Sequence, residues 1–352
     1  MRRTFEPKTY RARAEAAMDF IQERLWDPKV GRYRPAFPPK PGALPYDFMW
    51  GNGVAFSALV GGTRLNPNKY KPLMEAFFAG MEAYWDKDAP IPAYDAYFSS
   101  PDNDDKYYDD NEWMVITFVE AHAITGDARY RKRAEEVMKY VLSGWDDKLG
   151  GGIYWRQDHK SKNTCSNGPG ATAALVLAER GNERYYRDWA KRIVEWTNRT
   201  LQRPDGLFWD NIALDGKIEK TVWTYNAALM MRANLGLYKA TKEKAYLEEA
   251  KRQARASEKE FVIKETNAFR DDAMFSHLLA EAYLELYELT REPYLLDRVI
   301  ANADFAWKHL RDPRDGGFWT RWRIEPDRKE ERKSLIANAS TARLFWLLAA
   351  VS

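Results

Sequence analysis

The chain has 352 residues, 45% of them hydrophobic, and a formal net charge of +3. That length and apolar share supply a large core, and the small, evenly spread charge leaves no clustered basic face for nucleic acid. A single cysteine, Cys165, excludes an internal disulfide and a cysteine-based zinc cluster, and no apolar run reaches membrane-spanning length.

The first seven residues, ending Glu6-Pro7, lack the apolar stretch of a signal peptide. A soluble, cytoplasmic protein is expected, or a secreted one if a leader has been removed. No Pro/Gly/Ser linker or low-complexity tract divides the chain, so one catalytic domain is expected over residues 1–352.

Along the chain three landmarks recur with a period of about 57 residues. The first is a polar turn ending in tyrosine, as in Pro7-Lys8-Thr9-Tyr10, Asn66-Pro67-Asn68-Lys69-Tyr70, Gly126-Asp127-Ala128-Arg129-Tyr130 and Gly181-Asn182-Glu183-Arg184-Tyr185. Ala245-Tyr246 and Pro293-Tyr294 complete the series. Each turn predicts the start of a charged amphipathic helix, such as Tyr130 to Val141 with Ala134, Val137, Met138 and Val141 on one face.

The second landmark is a Trp/Asp/Gly turn where that helix stops: Trp26-Asp27, Trp85-Asp86, Trp145-Asp146, Pro204-Asp205-Gly206 and Asp312-Pro313. The fifth repeat, near Val262-Ile263, is degenerate. A long aromatic loop follows in most repeats, and Gly151-Gly152-Ile153-Tyr154-Trp155 and Gly316-Gly317-Phe318-Trp319 read as short β-hairpin arms.

The third landmark is a polar step into a second helix. Asn52, Asn111, Asn167, Asn226 and Asn338 stand near five of these starts, and Asp271-Asp272 near the sixth. These second helices are poor in charge and rich in small residues, which marks helices buried on all sides. Six such pairs predict an all-α protein, an (α/α)6 barrel of six helical hairpins with buried inner and charged outer helices. An open solenoid would need a polar cap, and the last helix, from Thr341, is too apolar for one.

In that barrel the long loops and the N-terminal ends of all inner helices share one mouth. Tyr107-Tyr108-Asp109-Asp110-Asn111-Glu112-Trp113 lies there, immediately before the apolar run from Met114. One aspartate would serve to cap the helix. Two side by side, between aromatics, fit sugar chemistry: aromatic faces hold pyranose rings, and glycosidic cleavage needs two carboxyl groups. Trp50, Trp155, Trp223 and Tyr225 are the candidates for stacking. Asn167 and Asn226 are the asparagines best placed for sugar hydroxyls, with Asn52, Asn111, Tyr108 and Asp272 also assigned to substrate.

Other readings compete. Asp102, Asp104 and Asp105 lack the spacing of a calcium loop and read as a solvated acidic segment, so no metal or cofactor is expected. Asp109-Asp110-Asn111-Glu112 likewise lacks the spaced acidic motif of terpene chemistry. Cys165 reads as a small packed residue. His159 and His277 could reach the mouth, His122 and His309 could not.

Tyr108-Asp109-Asp110-Asn111-Glu112-Trp113, with Cys165-Ser166-Asn167-Gly168-Pro169-Gly170-Ala171 and Thr221-Val222-Trp223-Thr224-Tyr225-Asn226, resembles glycoside hydrolase family 76, the α-1,6-mannanases. The resemblance covers most of the chain. It implies an (α/α)6 barrel and a retaining, endo-acting α-1,6-mannanase whose substrate is mannan or manno-oligosaccharide. It assigns Asp109 as nucleophile and Asp110 as general acid/base, and implies a monomer with no nucleic-acid or membrane partner. The stretch Ala268-Phe269-Arg270-Asp271-Asp272-Ala273-Met274-Phe275 departs from the family's Phe-x-Gly-x-Phe-like pattern. The alternatives are a histidine-based N-acylglucosamine 2-epimerase-like isomerase, which leaves the aspartate pair unexplained, and a non-catalytic glycan-binding barrel.

Overall fold

The structure, a computed structural model, describes residues 5–98, 105–179, 181, 183–322, 324 and 332–352. Asp102 and Asp104 of the acidic segment lie outside them. The described residues form helices α1 (Pro7–Arg24), α2 (Met49–Leu65), α3 (Pro67–Gly80), α4 (Tyr108–Thr125), α5 (Ala128–Ser143) and α6 (Thr164–Ala178). They continue with α7 (Glu183–Leu201), α8 (Thr224–Thr241), α9 (Lys244–Phe261), α10 (Ala273–Thr290), α11 (Pro293–Phe305) and α12 (Leu335–Ala349).

The alternation follows from composition. α5 buries Tyr130, Ala134, Val137, Met138 and Val141 along one stripe, as its sequence requires. α6 buries nearly every residue from Thr164 to Ala178. Proline at the first position starts α1, α3 and α11, where its missing N–H costs no helical hydrogen bond.

Two compact units emerge: Met1–Glu82 with Val262–Leu284 and Glu292–Ser352, and Ala83–Phe261 with Glu285–Arg291. In the second unit α4 packs on α6 and α6 on α8, while α5, α7 and α9 each lie against the inner helix that precedes them. The tight hairpin is therefore an inner helix with the outer helix that follows it, because the turn between them is short, two residues from α4 to α5 and from α8 to α9. Close approach of α6 and α8 depends on Gly168, where a Cβ would stand 2.6 Å from Leu229 Cβ.

In the first unit α2 packs on α3, and α12 packs on both α1 and α2. The last inner helix thus takes the first outer helix as its partner, so the apolar C-terminal helix is covered. Gly61 lets Trp346 of α12 approach closely, since a Cβ there would stand only 2.9 Å from Trp346 Cβ. Arg343 of α12 donates to Glu281 of α10 at 2.7 Å and to the Ser57 carbonyl of α2 at 3.2 Å.

The expected hairpin arms are shorter than their sequence suggests. Ile153 bridges only Trp145, and Phe318 only Arg311. Side chains supply the missing backbone partners. Asn111, Asn167 and Asn338 are each the fourth residue of an inner helix. Each binds both backbone groups of one loop residue: Asn111 those of Tyr94, Asn167 those of Ile153, Asn338 those of Phe318, at 2.7–3.1 Å. In the degenerate fifth repeat Asn302, from outer helix α11, takes this place and accepts from Phe269 N at 2.8 Å.

A second device repeats two residues before an inner helix. Lys106, Lys162 and Lys333 are buried and reach the aspartate of the preceding turn, Asp86 (2.7 Å), Asp146 (2.6 Å) and Asp312 (2.9 Å). Lys162 also donates to the Asp146, Lys148 and Gly151 carbonyls. A buried ammonium is tolerable only with such complete pairing. Among the described residues no helix is long and apolar enough to cross a membrane.

Candidate active site

The site grows from the first turn of α4, in the second unit. Tyr107 stands at the N-cap in an extended conformation and makes no side-chain cap. Asp109 Oδ1 accepts from the Asp110 N–H at 3.0 Å, which answers one free donor of the helix end. Its other oxygen serves differently. Oδ2 accepts from the indole Nε1–H of Trp155 at 3.0 Å and from the thiol of Cys165 at 3.3 Å.

Asp109 therefore collects three donors. Asp110 collects none among the described residues. Both keep some accessible surface, yet protein crowds them closely enough that desolvation dominates their titration. Burial pushes Asp109 up to about 6 against the pull of the Cys165, Asp110 N–H and Trp155 hydrogen bonds. Asp110 is pushed well above the usual carboxylate range by burial first, then by the charges of Asp109 and Asp105. Two neighbouring acids are thus driven apart by unequal hydrogen bonding, one toward the charged form and one toward the neutral form.

Around them lie groups that sequence reasoning missed. Asp210 stands in the strand Asn211–Ala213's approach and accepts from Asn226 Nδ2 at 3.1 Å and, at 3.5 Å, from the Tyr225 hydroxyl. Burial and the neighbouring Cys165, Asp210 and Asp109 push that phenol upward, so it remains a donor. Glu112 is fully buried, and among the described residues neither of its oxygens has a hydrogen-bond partner. Burial and the Asp109 and Asp110 charges push it well up, which makes it a neutral acid. Glu112 was visible in the sequence but reads there as an ordinary helix residue. Nothing in the order of residues marks Asp210, which long-range folding delivers.

The expected substrate contacts divide. Trp155 is 40% exposed, and its ring meets Tyr107 edge-on, leaving a face open beside Asp109. Trp223, at the N-cap of α8, and Tyr225 are partly exposed in the same unit. Asn52, Asn111, Asn167 and Asn226 are completely buried, so direct sugar contact is corrected for all four. Their amides reach back past the helix start to loop backbone or, for Asn226, to Asp210, as the N-terminal tilt of helical Cα–Cβ bonds allows.

Tyr108 is also corrected. It is 3% exposed and stacks on Tyr140 of α5 with ring centroids 4.7 Å apart. In the first unit, Trp50 stacks on Phe275 at 5.7 Å, and the Asp272 carbonyl accepts from Phe275 and Ser276 at the start of α10. Asp105 of the acidic segment pairs with Arg156 at 2.6 Å. Among the described residues no group of three or more His, Cys, Asp or Glu is arranged to hold a metal ion.

The histidines have structural occupations. His159 stacks on Tyr154 with centroids 4.2 Å apart and shares a 3.2 Å hydrogen bond with the Tyr108 hydroxyl. His277 is buried, with Nδ1 3.0 Å from the Ala273 carbonyl one turn back. Neither stands as the proton-transfer group that an epimerase requires.

Comparison with known proteins agrees with this chemistry. A family 76 α-mannanase of Bacteroides thetaiotaomicron superposes with a TM-score of 0.90 at 25% identity, covering 98% of each chain. An inactive variant of an α-1,6-mannanase from Salegentibacter, solved with α-1,6-mannotriose, gives 0.83 at 25% identity over 97% of this chain and 99% of that one. A mannan endo-1,6-α-mannosidase of Candida glabrata is 25% identical over 188 residues, 49% of this chain and 37% of the fungal protein. The fold class is the (α/α)6 barrel, and the sequence profile of Glycosyl hydrolase family 76 matches residues 9–341. The chain belongs to glycosyl hydrolase family 76 and is a glycoside hydrolase.

Proposed function

We propose that this hydrolase cleaves α-1,6-mannosidic bonds within mannan chains, with retention of configuration, using Asp109 as nucleophile and Asp110 as general acid/base. The observation that carries the assignment is the unequal hydrogen bonding of the pair. Asp109, with three donors, is the carboxyl that ionises. Asp110, pressed by burial and by the Asp109 and Asp105 charges, is the one that keeps its proton.

In the first step an Asp109 oxygen bonds to the anomeric carbon as the bond to the leaving oxygen breaks. Asp110 gives its proton to that oxygen. In the second step Asp110 takes a proton from water, whose oxygen bonds to the same carbon and releases Asp109. Trp155 offers its exposed face to a mannose ring while its N–H holds Asp109. The Salegentibacter relative supports the pairing: its inactive variant carries two consecutive aspartates changed to asparagine and binds α-1,6-mannotriose. We read the enzyme as a monomer.

The test is product analysis on linear α-1,6-mannan. A ladder of short mannosides, first released in the α configuration, is expected. Release of β-configured product, or no release from any α-mannoside, would overturn the reading.

A further inference from the structure

A small buried cysteine is ordinarily inert packing. Cys165 has different neighbours. It is the chain's one cysteine and is 6% exposed in the first turn of α6. Its sulfur stands 3.3 Å from Asp109 Oδ2, and the hydroxyl of Tyr225 lies beside it. Burial first, then the charges of Asp109 and Asp210, push the thiol well above its ordinary range, so it remains S–H and remains a donor.

The two donors on Asp109 Oδ2 differ in kind. The Trp155 indole comes from an exposed side chain on a loop. The thiol comes from a buried position in the first turn of a helix. A thiol is also a weak donor. That suits a carboxylate which must be charged before attack and neutral, as an ester, after it. A strong donor would stabilise the charged form and slow attack; no donor would leave the carboxylate protonated more of the time.

We propose that Cys165 is a positioning residue for Asp109, a buried weak donor that sets the orientation and nucleophilicity of the attacking carboxylate. The proposal rests on the two-aspartate reading. The other titratable groups around Asp109 are Asp110 and Glu112 on α4, Tyr107 and Asp105 before it, and Tyr225 on α8, with Asp210 beside Cys165 and Tyr225. None of these replaces the thiol as a donor to Oδ2 among the hydrogen bonds of the site.

The experiment compares Cys165→Ser, a stronger donor, with Cys165→Ala, which has none. The ionisation of Asp109 is read directly by carboxyl carbon-13 NMR titration of the ligand-free protein, and the acid limb of kcat/KM is read on α-1,6-mannan. The serine variant should move the Asp109 titration and the acid limb down by about half a pH unit or more, and the alanine variant should move both up by a similar amount. Both should lower kcat, while KM changes less than twofold. Unmoved titrations, or shifts of the same sign in both variants, would overturn the proposal. Cys165→Thr and Cys165→Val, matched in shape, serve the same comparison if alanine at this site fails to fold. If wild type releases nothing from mannan while the NMR shifts are opposite, the donor role stands and the substrate reading is what fails.

Discussion

The indole Nε1–H of Trp155 points at Oδ2 of Asp109 across 3.0 Å, so the aromatic offered to a sugar and the carboxylate offered to its anomeric carbon are tied directly to each other. Hydrogen bonds to a charged group contribute about 1.5–3 kcal/mol, enough to decide the protonation state and orientation of a partly buried acid. Trp155→Phe keeps a stacking face and removes that donor. Its kcat on α-1,6-mannan should fall about 10- to 100-fold with little change in KM. A loss confined to KM would mean that the ring matters only as a platform.

The pH profile follows from the same pair. Activity should rise as the medium passes through about 6, where Asp109 ionises. It should fall at higher pH, when Asp110 loses the proton that burial and the Asp109 charge hold on it. The two limbs belong to the pair as a whole. Stability carries the matching sign. A carboxyl raised in the fold binds its proton more tightly than the unfolded chain does, so the contribution is present below the ordinary value of about 4 and is lost as pH rises toward 6. Denaturant titrations of Asp109→Asn should flatten that segment; an unchanged slope would refute the raised titration.

Asn167 ties the loop of Trp155 to α6. Its side chain accepts from Ile153 N at 2.8 Å and donates to Ile153 O at 3.0 Å, two residues before the indole. Asn167→Ala leaves both buried backbone groups unpaired, and stability should drop by roughly 2–4 kcal/mol. Asn338→Ala breaks the equivalent tie to Phe318 and should cost a similar amount. Only the Asn167 variant should also lower kcat, because only that loop carries Trp155. Chemical denaturation with parallel kinetics on the folded protein measures both.

Lys162 is a purely architectural case. Its ammonium is buried and donates to Asp146 and three carbonyls. Lys162→Met should cost about 3 kcal/mol in chemical denaturation, whereas the exposed Lys160→Met should stay within about 0.5 kcal/mol. Acid should act in the same direction. Asp86 and Asp146 are held below the usual carboxylate range, against the opposing pull of burial, by their lysine and other hydrogen-bond partners, and Asp312 is held there by Arg314 first and then by Lys333. Their stabilisation is present above the ordinary carboxylate value and is lost as pH falls through their lowered titrations.

Periodicity made the helices legible. The stripe of Ala134, Val137, Met138 and Val141 and the all-round burial of α6 follow from residue order, as does the position of Asp109-Asp110 in a first turn. The asparagine series was legible as a landmark and misleading as chemistry. At the fourth helical position an amide reaches back to the loop, so Asn111 and Asn167 satisfy backbone instead of sugar. Sequence spacing could not separate those uses, because both place a polar residue at a helix start. Asp210 and Cys165 stand far from Asp109 along the chain and meet it only through the packing of α4 on α6 and α6 on α8. The lysines two residues before α4, α6 and α12 do recur in the sequence, but their burial shows only once their aspartate partners are placed.

The assignment of the two aspartates is tested most directly by trapping the covalent intermediate. Asp110→Ala, given an α-mannoside with a leaving group that needs no protonation, should form the glycosyl-enzyme and resolve it slowly. Peptide mapping by mass spectrometry should find one mannosyl adduct, on Asp109. An adduct on Asp110's neighbour Glu112 or on Asp210, or turnover at the wild-type rate with no adduct, would contradict it.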